Sequence, residues 1–165
     1  MLEKTGVPTP EQVKEAAPTE ERLKKGPVAV VECFQSIPCD PCQYACNQGA
    51  IKEFVDINDV PIIDHEECNG CGICVSQCPG LAIFVIDATY SEDKGLVKVP
   101  HEYTPLPEKG EVVTGLDMAG NEACDAEVIK VQSAKSLDRT PVVWLAVPHD
   151  CLMKVRGFRR KGGAE

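Results

Sequence analysis

Aromatic side chains are scarce in this chain of 165 residues, with Phe, Trp and Tyr together making up 5%. A core must therefore rest on Val, Ile, Leu and Ala, and a hydrophobic share of 43% suffices to build one. Long apolar runs are missing too. Apolar runs such as residues 28–31 and 142–147 fall far short of the roughly 20 residues that cross a bilayer, so no membrane span is expected. The opening Met1-Leu2-Glu3-Lys4 lacks the apolar stretch that directs secretion, and a cytoplasmic location is expected. Positive charge is short as well. The net charge is −9, and residues 28–87 hold nine acidic side chains against a single base, Lys52. Such a surface repels phosphate backbones and anionic lipid, so no nucleic-acid partner is expected. No His-Glu-x-x-His, P-loop or Gly-x-Gly-x-x-Gly occurs, which leaves no evident catalytic or nucleotide-binding constellation.

Cysteine, by contrast, is abundant: ten residues, at positions 33, 39, 42, 46, 68, 71, 74, 78, 124 and 151. Without a secretory signal, such cysteines serve metal or redox chemistry more often than disulfides. The run Cys68-Asn-Gly-Cys71-Gly-Ile-Cys74-Val-Ser-Gln-Cys78-Pro79 is C-x2-C-x2-C-x3-C-P. Three thiolates two residues apart converge on three irons of a [4Fe–4S] cubane when the chain curls tightly. Gly70 and Gly72 permit the backbone angles this demands. The fourth cysteine overshoots that cube and serves another. A partner run is present: Cys39-Asp-Pro-Cys42-Gln-Tyr-Ala-Cys46 repeats the x2 and x3 intervals 32 residues upstream. It departs from the pattern at Ser36, where a first cysteine is expected, and at Asn47, where proline is expected; Cys33 lies three residues before Ser36. The two similar halves fit an internal duplication.

Over roughly residues 28–90 the sequence resembles the bacterial-type two-cluster ferredoxins. The resemblance implies a ferredoxin-like fold, two short β pairs with two short helices, and two [4Fe–4S] clusters with crossed ligation. On that pattern Cys39, Cys42 and Cys78 hold one cluster with Cys33 as fourth ligand, Ser36 or a three-iron cluster being the alternatives. Cys68, Cys71, Cys74 and Cys46 hold the other. The stretch Glu32-Cys33-Phe34-Gln35-Ser36-Ile37-Pro38-Cys39 also resembles ferredoxin-like subunits of FAD-dependent amino- or imino-acid dehydrogenases.

Competing readings of the cysteines fare worse. A zinc ribbon on Cys39/Cys42 and Cys71/Cys74 would have 28 residues between its pairs and leave Cys33, Cys46, Cys68 and Cys78 idle. A thioredoxin-like site needs a βαβ context that is missing. Cys124 and Cys151 read as small core residues, and His65 as a surface histidine in a loop.

The expected architecture is α+β: a ferredoxin-like dicluster domain followed by a small antiparallel β barrel or curled sheet. Residues 1–27 form an N-terminal arm with helical pieces at 11–17 and 19–25, and residues 28–99 the cluster domain, with strands at 28–31 and 83–87. A turn at Lys94-Gly95 precedes a strand at 96–99. Residues 100–109 are a Pro-rich linker, 110–158 the β domain and 159–165 a basic tail. A fully thiolate-ligated cubane exchanges single electrons and has no open site for substrate. The expected function is thus electron transfer without a catalytic site of its own. The favoured setting is a subunit of a flavin-dependent oxidoreductase, partnered by flavoprotein dehydrogenase subunits or other redox proteins. The alternatives are a freely diffusing ferredoxin and, in another class, an iron–sulfur sensor or structural metal-binding protein.

Overall fold

The computed structural model describes residues 2–162; Met1 and the end of the expected basic tail, 163–165, lie outside the described residues. The arm forms three short helices, α1 (Leu2–Thr5), α2 (Pro10–Ala16) and α3 (Glu20–Leu23). Helix α2 is fixed by a capping box, in which Thr9 Oγ1 accepts from the Gln12 backbone N–H and Gln12 Oε1 accepts from the Thr9 backbone N–H. The chain continues through β1 (Val28–Val31), α4 (Pro41–Ala45), α5 (Ile73–Gln77), β2 (Ile83–Asp87), β3 (Lys94–Pro100), β4 (Val112–Leu116), β5 (Glu122–Gln132), β6 (Val142–Pro148) and β7 (Gly157–Arg160).

All seven strands lie in one antiparallel sheet of order β1-β2-β3-β6-β5-β4-β7. Of the two forms expected after residue 110, a small barrel or a curled sheet, the separate barrel is therefore not formed. Its strands instead extend the sheet that β1 and β2 begin, because β3 pairs along its whole length with β6, from Lys94↔Pro148 to Pro100↔Val142. Two further expectations shift for local reasons. Gly95 is a strand residue and not a turn, since a Cβ there would stand 2.6 Å from Leu152 Cδ1. The turn comes earlier, where the Ser91 hydroxyl and amide both donate to Lys94 O. Arg159 and Arg160 belong to edge strand β7, ion-paired with Glu122 and Glu111.

Strand alternation divides the interior into two layers. Val28, Val30, Phe84 and Ile86 face one core with Val97, Val99, Val113, Val128, Val143, Leu145, Val147 and Phe158. Ala29, Val31, Ile83 and Val85 face the other, with Cys42, Cys74, Val75 and Ile51. This is why 28–31 and 83–86 read as unbroken apolar runs: both faces of β1 and β2 are covered.

Candidate metal centre

Helices α4 and α5 lie side by side over the Ala29/Val31 face of the sheet, and each carries the penultimate cysteine of one run, Cys42 and Cys74. Both end in the same way. Cys46 caps α4 with φ −83° and ψ 91°, and Cys78 caps α5 with φ −81° and ψ 110°, so each leaves its helix in extended conformation.

The result is an exchange between the halves. Cys33, Cys39 and Cys42 line one apolar cradle with Cys78, walled by Val31, Ile37, Pro41, Pro61, Pro79 and Ile83. Cys68, Cys71 and Cys74 line a second cradle with Cys46, walled by Ala29, Ala45, Ala50, Ile51 and Ile63. All eight cysteines singled out from sequence are thus gathered, in two groups of four. Ser36 lies elsewhere, in a groove with Leu2, Glu3, Thr9 and Gln12.

Electrostatics divides the thiols along the same line. Burial pushes the Cys42 thiol up to about 11, helped by Cys78, Cys33 and Cys39. Burial pushes Cys74 up to about 12, helped by Cys68, Cys71 and Cys46. Burial also raises Cys33 and Cys39. Four acidic groups crowded into an apolar cradle resist ionising unless a cationic metal supplies the compensating charge. Backbone amides already face the sulfurs: Ala29 donates to Cys68 Sγ at 3.3 Å and Ala82 to Cys78 Sγ at 3.4 Å. Among the described residues no three His, Cys, Asp or Glu side chains converge closely enough for one shared metal ion. The four thiols instead line each cradle without converging on one point, a disposition that fits a multi-iron cluster with its own metal atoms between them.

The loop of the second cradle is held from three sides. Gly70, at φ +68°, packs so tightly on Pro27 that a Cβ would stand 2.5–2.7 Å from its Cβ, C and O atoms. The Lys98 ammonium, buried, donates to Gly70 O at 2.8 Å and sits 4.3 Å above the Trp144 ring. Burial holds Lys98 below the ordinary lysine value, while Cys71 and Asp87 pull it back. From the arm, the buried Arg22 guanidinium donates to the carbonyls of Gly26, Pro27, His65 and Cys68. Neither cation announces itself in the sequence: both lie outside the cysteine runs, and only the fold brings them there.

The other residues weighed from sequence fall away from the cradles. His65 is half-buried instead of exposed, its imidazole held below the ordinary value by burial and by Arg22, and it lines neither cradle. Cys151 is a buried core residue, as expected, whereas Cys124 is half-buried against that core beside the Cys151 thiol. Burial and the Cys151 thiol push Cys124 up to about 12.

Comparison with known proteins points the same way. The 4Fe-4S binding domain family matches residues 61–84, the stretch that carries Cys68, Cys71, Cys74 and Cys78. The ferredoxin-type protein NapF of Haemophilus influenzae is 38% identical over 58 residues, covering 34% of this chain and 33% of that protein. Pyruvate synthase subunit PorD of Methanocaldococcus jannaschii is 43% identical over 54 residues, 33% of this chain and 60% of PorD. The chain thus spans a third to three fifths of these two relatives. An uncharacterised ferredoxin of M. jannaschii is 30% identical over 122 residues, 72% of this chain and 67% of its own length. No solved structure matches. With a match that runs through two thirds of a ferredoxin and a 4Fe-4S binding domain over its second cysteine run, the chain belongs to the ferredoxin-type iron–sulfur proteins.

Proposed function

We propose that the protein holds two [4Fe–4S] clusters and relays single electrons as a subunit of a larger, flavin-dependent oxidoreductase. One observation carries the cluster reading: each cradle is completed by the last cysteine of the opposite run, Cys78 for the first and Cys46 for the second. When bound, the clusters supply one-electron redox chemistry. The chain's own residues supply the thiolate ligands, the sulfur-directed amides of Ala29 and Ala82, and the apolar walls that exclude water. Anaerobically purified protein should contain about eight iron and eight acid-labile sulfide per chain. Zinc, or near four iron, overturns the reading.

The subunit setting has its own support. Segment 53–62 borders the first cradle through Asp59 and Pro61, and there Val55 is 100% exposed and Ile62 69% exposed. Ile37 and Ile57 add to this apolar surface. Apolar side chains beside a redox site fit a face covered by a partner. PorD is by name a subunit of pyruvate synthase, and the flavin-dependent partner rests on the Glu32 to Cys39 resemblance. A cytoplasmic setting is part of this proposal, since thiolate-ligated metal sites go with compartments that keep thiols reduced. Native purification followed by mass spectrometry of associated chains and a flavin spectrum tests this. A protein that purifies alone, with strongly salt-dependent partner binding, is instead a diffusing ferredoxin.

A further inference from the structure

The two cradles differ in the charges built around them. At the second, Lys98 is 7% exposed and Arg22 5% exposed. Both reach the cysteine loop, Lys98 through Gly70 O and Arg22 through Cys68 O. Among the described residues neither cation has a carboxylate within 4 Å. A buried charge without a partner is costly, so a nearby anion is implied. Of the acidic side chains near this cradle, Asp64, Glu66 and Glu67 are already paired with Lys25 or Lys52, and Asp87 acts on Lys98 only from beyond ion-pair distance. At the first cradle the balance is reversed. Asp59 lines it, and Asp40 directly follows Cys39 in the chain. The one buried cation nearby, Arg156, is neutralised by Glu32.

We infer that Lys98, seconded by Arg22, makes the Cys46/Cys68/Cys71/Cys74 site the one where the transferred electron rests, and the Cys33/Cys39/Cys42/Cys78 site the lower in potential. The inference rests on the two-cluster reading. Adding an electron makes a cluster more negative, and a fixed cation in a low-dielectric surrounding stabilises that added charge more than an exposed one would. Within a chain holding one electron, the first site is oxidised and the second reduced, with no proton required. Lys98 acts here by charge and position: its ammonium is held still by Gly70 O and by the Trp144 ring, which cannot neutralise it.

The test begins with iron analysis of the loaded, full-length chain. Near four iron refutes the two-cluster reading itself, whereas eight iron leaves the inference to be judged alone. Stepwise dithionite reduction of the eight-iron protein is then followed by paramagnetic NMR, with the cysteine resonances assigned. Signals of the reduced state should grow first at Cys46, Cys68, Cys71 and Cys74. Lys98→Met should lower the potential of that cluster alone, shifting the electron distribution on the order of tenfold, about 59 mV for a one-electron couple. Lys98→Arg should leave it in place. Reduction that starts at the Cys33 group, or equal shifts of both clusters in Lys98→Met, overturns the inference. Should the Met variant fail to load, the wild-type order decides alone, and simultaneous reduction of both sites counts against it.

Discussion

Arg156 donates from Nε and Nη2 to the same oxygen of Glu32, at 2.8 and 2.6 Å, with both side chains almost wholly buried. Glu32 follows β1 and Arg156 precedes β7, the first and last strands in the order of an open sheet. The sheet therefore curls until its two edges meet, and it is clasped there by an ion pair in place of a strand ladder. The Arg156 guanidinium also lies 5.0 Å from the centre of the Phe84 ring, sealing the core between the edges.

Removing one partner of this clasp should be costly. Arg156→Met leaves Glu32 buried and uncompensated, with an expected loss of about 3–5 kcal/mol in denaturant unfolding. The Glu32→Gln/Arg156→Met double variant should lose less than the single one. Additive losses would show that the two side chains do not act as a pair.

Crossed ligation predicts which cluster each cysteine serves. Cys78→Ala should halve the iron, to about four per chain, and remove the cluster of Cys33, Cys39 and Cys42 while sparing that of its sequence neighbours. Cys46→Ala should do the reverse. Spectroscopy that finds the loss in the residue's own run contradicts the exchange.

For the irregular first run, Cys33 lies in the cradle and Ser36 in a separate groove. A thiolate is the softer and more acidic ligand. Cys33→Ser should impair the first cluster and Ser36→Ala should leave its iron content and potential unchanged. The opposite outcome assigns the ligand to Ser36.

Gly70→Ala should disturb the second cradle alone. Its Cβ meets Pro27 backbone atoms, which cannot give way as a flexible side chain would. A stability loss of roughly 1–3 kcal/mol is expected from overpacking, together with reduced iron at the Cys68 site. Full iron and an unchanged melt would mean the loop yields freely.

Deleting residues 108–165 should abolish folding. The proline-rich stretch before residue 108 reads as a place where the chain divides, yet the cut would strip β6 from all seven residues of β3. It would also take Val113, Val128, Val143, Leu145, Val147 and Phe158 from a shared core. The bare β3 edge is an aggregation surface. A soluble, iron-loaded fragment of residues 1–107 would instead establish an independent cluster domain.

The cysteine groups were legible in sequence because cluster chemistry acts through short intervals: x2 and x3 spacings constrain the backbone locally, and Gly70 and Gly72 mark where it must turn. The strands 28–31 and 83–87 were legible for a similar reason, their apolar runs being unbroken over 28–31 and 83–86. What was hidden depends on distant pairing. Nothing near Lys98 announces Gly70 as its acceptor, and Glu32 and Arg156 stand 124 positions apart. Gly95 imitates a turn because close packing on Leu152 and turn formation ask for the same residue. The bridge from β3 to β6 follows from which edge remains free once β2 is paired, a property of the assembled sheet alone.

For an electron, the sheet is an insulating wall. Both cradles lie on one side of β1 and β2, and the far side is a layer of apolar, mostly aliphatic side chains from Val28 and Val30 through Leu145 to Phe158. Tunnelling through that layer is slow compared with passage along the cradle side, so traffic is confined to the surface that α4, α5 and segment 53–62 present. The strands β4, β5 and β7 can then be gripped by another protein without opening a short circuit.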